Sequence, residues 1–382
     1  MLHYVRLAYR SALFAALLVM YIIYKVRYGE DIAVILNREP AIVVIICAVF
    51  TLEMLLRFFP SRLESPGRQK QFAQNYIKSG ETMRDYETIT YRPPYEARSF
   101  LLQVTRGCSH GKCTFCTMYR GTPFTTDPFE DVLADIIEAG RLYPDTKRVF
   151  LEHGDPFCLS ADRLTEIAEA IHKYMPAVQT IAMYASVKNI QTKTDSELKR
   201  LRALGINDLN IGVESGLDEA LEILGKGYTA AQAEYELKRL TDAGMEYGAN
   251  VIFGAAGRGL GKKNAEATAR LLNAAQPNTV FTGTIHASLG APLYEDMRSG
   301  KFRDSTIGEY LDEEETLLSG LELKNSRYYS THPSNISGLK GRLPGDKERL
   351  LSELSARRAE LSGILDRLPA KKGEEGIILG YV

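Results

Sequence analysis

The sequence predicts an α/β protein. Its centre is a partial (β/α)6 TIM-like barrel, with an N-terminal two-helix membrane hairpin before it and a C-terminal α-rich extension after it. Three observations carry this reading. Six short apolar runs alternate with helix-patterned segments between residues 99 and about 290. Two long apolar stretches precede residue 60, and beyond residue 300 the alternation gives way to amphipathic patterns. The boundaries that follow are 1–60 for the hairpin, 61–98 for a polar linker containing SPGRQ and RPP, 99–300 for the barrel and 301–382 for the extension.

Length and composition set the frame. A chain of 382 residues can build one large α/β barrel or two smaller domains. With 45% hydrophobic and 25% charged residues its composition is that of a globular protein. A formal net charge of −1 gives no global reason to expect a nucleic-acid partner. Three of the 5 cysteines cluster as Cys108, Cys113 and Cys116, unlike a secreted disulfide framework; this fits a reducing compartment and a metal site.

The hairpin consists of LAYRSALFAALLVMYIIYKV (7–26) and PAIVVIICAVFTLEMLLRFF (40–59). A spanning helix needs about 20 mainly apolar residues, and each stretch reaches that length with its flanking charges, Arg10 and Arg57 being able to snorkel. A signal peptide needs a small-residue cleavage site after the first run, which KVRYGED does not offer. A helical pair packed on the main domain is the other alternative. Arg6 and Arg10 precede the hairpin and Arg57, Arg62, Arg68 and Lys70 follow it, so both ends are expected on the cytoplasmic side of the cell membrane.

The barrel strands are expected at 99–105, 148–154, 180–186, 208–215, 246–254 and 279–287, each short, rich in β-branched or aromatic residues and bounded by turn residues. Asp127 and Pro128 open the first helix, and Ser160–Tyr174, Thr194–Leu204 and Thr229–Ala243 read as later ones, the last two closed by Gly205 and Gly244. Six such units predict a parallel sheet with right-handed crossovers, short of a closed eight-stranded barrel. After residue 300, TIGEYLDEEETLLSGLEL reads as an acidic amphipathic helix and a following strand. KNSRYYSTHPSNISGLKGRLPGD reads as a polar loop with His332, Asn335 and Lys340, and 346–368 as an amphipathic helix.

In this architecture functional groups gather at the carboxyl ends of the strands. There the first strand meets the cysteine loop QVTRGCSHGKCTFCTMYR, and the second ends in Glu152-His153-Gly154-Asp155-Pro156. The third ends at Ser186 with Lys188 beyond, the fourth in Glu214-Ser215-Gly216, the fifth at Gly254 and the sixth at His286-Ala287-Ser288. Three readings of the cysteines compete. A structural zinc site needs four ligands, usually two separated pairs, and His110 would have to complete it within nine residues. A redox dithiol of Cys113 and Cys116 leaves Cys108 unexplained. Three thiolates suit an iron–sulfur cluster, and three rather than four leave one iron open to an external ligand.

The cysteine loop, with Phe115 just before its last cysteine, resembles that of the radical S-adenosylmethionine (SAM) superfamily. So do Gly-Asp-Pro after the second strand, Ile-Gly-Val-Glu-Ser-Gly at the fourth and Gly-Ala-Pro-Leu-Tyr after the sixth. The phrases CSHGKCTFC, NIGVESGLDEALEILGKGYT and APLYEDMRSG are most similar to the elongator-like and coproporphyrinogen-oxidase-like iron–sulfur oxidoreductases. The resemblance covers roughly residues 95–300. It implies an enzyme holding a [4Fe-4S] cluster on Cys108, Cys113 and Cys116, with SAM on the open iron, cleaved to a 5′-deoxyadenosyl radical that takes hydrogen from a substrate. By position it implies Gly154 and Asp155 at the methionine amino group, Ser186 and Glu214 at the carboxylate and ribose, and Phe115 and Gly254 at the adenine, with Ser215 and Ser288 as further SAM-binding candidates. It also implies a low-potential electron donor of the flavodoxin or ferredoxin type.

Two departures stand out: four residues rather than three separate the first two cysteines, and His153-Gly154-Asp155 replaces the usual Gly-Gly-Glu. The anchor points weakly to a lipid or membrane-associated substrate. An RNA-modifying enzyme of the superfamily and a non-enzymatic electron carrier or zinc-stabilised scaffold are the competing readings; the first lacks an auxiliary cysteine cluster and an evident basic module. Outside this set, Cys47 and Cys158 read as small buried hydrophobes, His110 as a hydrogen-bond donor behind the site, and Tyr328 and Tyr329 as core or surface; GRGLGKK reads as a flexible, basic active-site loop without P-loop spacing, its Arg258 a candidate to touch a carboxylate of SAM or substrate.

Overall fold

Each of the six apolar runs contributes a strand to one sheet. A computed structural model of the protein describes residues 91–369 together with Arg84 and Tyr86. The hairpin expected over 1–60 lies outside the described residues. Among those that are described, no helix is long and apolar enough to cross a membrane.

The main sheet takes β1 (Phe100–Leu102), β4 (Arg148–Leu151), β5 (Thr180–Ala185), β6 (Ile206–Glu214), β7 (Tyr247–Phe253) and β8 (Thr279–Thr284) side by side in chain order, all parallel. The first run is not continuous. After β1 the chain makes β2 (Thr105–Arg106), which pairs antiparallel with β3 (Thr125–Thr126). The cysteine loop therefore hangs between two short strands whose ladder ties its ends together.

The α-rich extension needs correcting. The polar stretch expected as a loop contains β9 (Ser326–Tyr329), parallel to β8, and β10 (Lys340–Leu343), antiparallel to β9, so the sheet has eight strands. These two strands are short and polar and carry no apolar alternation to betray them. Because β1 and β10 do not pair, the barrel stays open.

The crossovers are α1 (Phe129–Leu142), α2 (Ala161–Tyr174), α3 (Val187–Gln191), α4 (Asp195–Ala203), α5 (Asp218–Ile223), α6 (Ala230–Asp242), α7 (Gly261–Ala275) and α8 (Pro292–Arg298); α9 (Ile307–Gly320) and α10 (Lys347–Glu360) follow. Ser160, Thr194, Thr229 and Thr306 accept from the backbone N–H three residues on, and the last three close reciprocal capping boxes. Asp127 does not cap α1. Its carboxylate instead accepts from Arg84 and Gln103, at 2.8 Å each. One face of each strand packs against these helices through Val149, Leu151, Ile181, Met183, Leu209 and Ile211, all fully buried. The other face turns inward and presents Phe150, Ala182 and Tyr184.

Two polar assemblies frame the interior. At the amino ends of the strands, buried Glu96 pairs with Arg148, which also reaches Asp208 at 2.7 Å. The Tyr95 hydroxyl donates to Asn210 while its ring stacks on Tyr329. At the carboxyl ends, Glu313 of α9, fully buried, accepts from Gly254 N at 2.8 Å and Asn264 Nδ2 at 2.7 Å. Asn264 in turn accepts from Ser215 Oγ at 2.5 Å.

Burial pushes the Glu313 carboxyl up to about 8, against hydrogen bonds that favour its ionised form. Between the ordinary glutamate range and that value the folded chain holds a proton that the unfolded chain has released. Stability therefore falls as pH rises through this window. Urea melts of the full chain between pH 5 and pH 8 should show a loss of up to a few kcal/mol, and Glu313→Gln should flatten that slope.

Candidate active site

A solvent-open cavity, about 1020 Å³ with the open solvent at its mouth included, lies at the carboxyl ends of the strands. Cys108, Cys113 and Cys116 line it, as do Phe115, Gly154, Asp155, Ser186 and Glu214. Three residues expected there stand elsewhere. Ser215 is fully buried against Asn264, Gly254 donates to Glu313, and Ser288 lies within hydrogen-bond distance of His286, at 3.2 Å; none of the three lines the cavity.

The cysteine loop has little regular structure, so other elements satisfy its polar groups. Ser109 donates from its backbone N to one Asp155 oxygen at 2.8 Å and from its hydroxyl to the other at 2.5 Å. Thr114 N donates to Leu224 O at 3.0 Å, and Thr114 Oγ1 to Ile223 O at 2.7 Å, beyond the end of α5. Leu293 N of α8 donates to Thr114 O at 2.9 Å. His110 Nε2 meets Gly225 O at 2.8 Å, and since a carbonyl only accepts, that nitrogen carries the proton. His110 thus ties the loop to α5, as a hydrogen-bond donor behind the site. At Gly154 the β4 exit passes so close that a Cβ would meet Cys108 Cβ at 2.6 Å and Gly107 O at 2.9 Å. The glycine is needed for the loop to sit where it does.

The chemistry of the three thiols discriminates between the readings of the sequence. All are free and half-buried. Burial pushes Cys108 up to about 11 and raises Cys113 and Cys116 as well. A redox dithiol needs a depressed pKa, which this environment does not supply. A bound metal centre brings the positive charge that ionises such thiols. All three line one cavity. Three soft ligands around a cavity fit a polynuclear iron–sulfur centre.

Across the cavity, Glu214 leaves β6 in the left-handed region, with φ 64°, after a register shift between Gly212 and Glu214. Its carboxylate accepts from Lys226 Nζ at 3.0 Å, and both side chains are nearly buried. Burial opposes the Lys226 charge, but Glu214 outweighs it and holds the lysine well above its ordinary value. The pair lies across Gly212, where a Cβ would fall on the Glu214 carboxylate. Ser186 caps α3: its hydroxyl accepts from Asn189 N at 3.3 Å and keeps its own proton for another acceptor.

Sequence reasoning missed Lys226, Tyr119, Tyr184, Asn210 and Asn250, all of which line the cavity. Lys226 sits in a Gly-Lys-Gly turn that reads as solvated, and Tyr184 sits mid-strand like a core residue. Cys158 is not on the cavity, and burial pushes its thiol up to about 12. Arg258 donates to Asp304 O at 2.9 Å, also off the cavity. Tyr328 is fully buried against Glu314.

Comparison with known proteins adds the following. Residues 102–272 match the family model of the Radical SAM superfamily. The heme chaperone HemW of Bacillus subtilis is 25% identical over 132 residues, 34% of this chain and 34% of that protein. The 4'-phospho-dehydrooxetanocin synthase of Priestia megaterium is 25% identical over 161 residues, 38% of this chain and 22% of that protein. The chain thus spans about a third or less of these curated relatives. Among solved structures, methylornithine synthase (PylB) aligns over 85% of this chain and 84% of its own at 15% identity, with a TM-score of 0.44. Elp3 of Methanocaldococcus infernus aligns over 71% and 65% at 14% identity, with a TM-score of 0.41.

Two substitutions test this geometry. Gly154→Ala should displace Cys108 and lower iron and sulfide retained after anaerobic reconstitution by about tenfold or more. Lys226→Ala leaves the Glu214 carboxylate buried and unpaired, and should cost about 3 kcal/mol in a chemical melt.

Proposed function

We propose that this chain, whose residues 102–272 match the Radical SAM family model, is a radical SAM enzyme whose [4Fe-4S] cluster is held by Cys108, Cys113 and Cys116. The observation that carries the proposal is the meeting of three free thiols from one loop with Gly154, Asp155, Ser186 and Glu214 around a single cavity. When bound, the cluster and SAM supply a 5′-deoxyadenosyl radical that abstracts hydrogen from a substrate.

The chain's own residues position these partners and keep water away. Asp155 has a double task. It fixes Ser109 in the cysteine loop, takes a further hydrogen bond from the Asn189 side chain, and keeps a lone pair for the methionine ammonium group. Glu214, held by Lys226, accepts from the ribose hydroxyls, and Ser186 donates its free hydroxyl proton to the methionine carboxylate. Phe115, 9% exposed at the cavity wall, offers a ring face to the adenine. Gly254 and Ser215 act at one remove, through Glu313 and Asn264. A flavodoxin- or ferredoxin-type donor supplies the electron. Residues 1–60 anchor the enzyme in the cell membrane with its catalytic domain on the cytoplasmic side, and the substrate is lipid or membrane-associated.

The test is direct. Full-length protein reconstituted anaerobically with iron and sulfide, then given dithionite and SAM, should release 5′-deoxyadenosine, detected by chromatography. Cys113→Ala should abolish both the cluster absorbance and the product. A wild-type cluster that leaves SAM intact under every reductant tried would sink the proposal.

A further inference from the structure

Among the described residues, two cavity-lining hydroxyls are buried without a hydrogen-bond partner, those of Tyr119 and Tyr184. Tyr184 is 9% exposed, its ring held by the edge of Phe150 at 5.4 Å between centroids. Tyr119 is wedged between Tyr91 at 5.6 Å and His153 at 5.5 Å. Both rings are packed against other rings, and a buried unmet hydroxyl is costly. The two are close enough to feel each other electrostatically, and burial raises both phenols well above their ordinary value, so each keeps an O–H to donate. Such a pair waits for an acceptor.

The surroundings define what that acceptor belongs to. Charge on the cavity wall is concentrated near the cysteines and is already answered: Asp155 by Ser109, and Glu214 by Lys226. Lys188 stands at the rim against Gly227. Asn210 lies beside Tyr184 on the next strand, and Asn250, Ile252 and Phe281 line the same cavity, all uncharged. Arg92 is off the cavity, and burial lowers its pKa although Glu152 and Glu96 act on it electrostatically. A carboxylate or phosphate set against Asn210, Asn250, Ile252 and Phe281 would lose its hydration without gaining a cation from them.

Resting on the radical SAM reading, we propose that Tyr119 and Tyr184 form the polar end of a substrate subsite inside the barrel, which takes a neutral, largely apolar molecule by one carbonyl or hydroxyl oxygen. This places the oxygen-bearing end of the substrate between the two phenols and its hydrocarbon part against Ile252 and Phe281.

Equilibrium dialysis of the reconstituted full-length protein against 2-acetylnaphthalene, and separately against the shape-matched hydrocarbon 2-ethylnaphthalene, tests the subsite. Tyr184→Phe and Tyr119→Phe should each weaken the acetyl compound by about five- to tenfold and leave the ethyl compound within about twofold, that hydrocarbon serving as the control for folding. A selective loss in either variant supports the subsite. Loss of both compounds alike, or of neither, in both variants overturns it. Release of 5′-deoxyadenosine by the wild-type protein is scored separately, so a protein that shows the selective loss but cleaves no SAM refutes the enzyme reading and leaves the binding site standing.

Discussion

The site depends on the close approach of the cysteine loop to the exit of β4. Residues 107–124 form almost no helix or strand, yet they carry every soft donor on the cavity. A loop of this kind is fixed only if its polar groups are met from outside. Here the β2–β3 ladder ties its base, the Asp155 carboxylate takes Ser109, the end of α5 takes Thr114 and His110, and α8 takes the Thr114 carbonyl. All of this requires the backbone at Gly154 to lie against Cys108 with no side chain between them. A methyl group there would push on the first cysteine directly.

The same economy governs the other strand exits. His153, Glu214 and Gly254 each leave their strand in the left-handed region. For the two non-glycine residues this conformation costs roughly 1–3 kcal/mol and persists only where the surroundings enforce it. Lys226 enforces it at Glu214, and Gln103 at 3.2 Å with the Tyr119 ring does so at His153. Gly254 is held instead by Glu313, a residue of the C-terminal region. The segment after residue 300 is therefore part of the architecture of the rim as well as of the sheet.

This explains what was legible in the sequence. Apolar runs and cap residues fix strands and helices locally, so β4 to β8 and the capped ends of α2, α4 and α6 could be read in advance. The cysteines, Gly154, Asp155, Ser186 and Glu214 were legible because parallel strands bring consecutive exits to one rim. Partnerships made through space left no local trace. Nothing near Lys226 marks it as the counterion of a residue twelve positions earlier, and nothing near Glu313 marks it as the acceptor for Gly254. β9 and the edge strand β10 were hidden because four-residue strands of mostly polar sequence look like loops. Ser215 and Gly254 followed the family pattern in sequence, but their bonds are to the scaffold behind the cavity.

The segment before the barrel acts as a cross-stitch. Tyr95 bonds to Asn210, which lines the cavity, and stacks on Tyr329, while its neighbour Glu96 pairs with Arg148 at the amino ends of the strands. Two consecutive residues ahead of β1 thereby connect β4, β6 and β9, and through Asn210 they bear on the cavity wall.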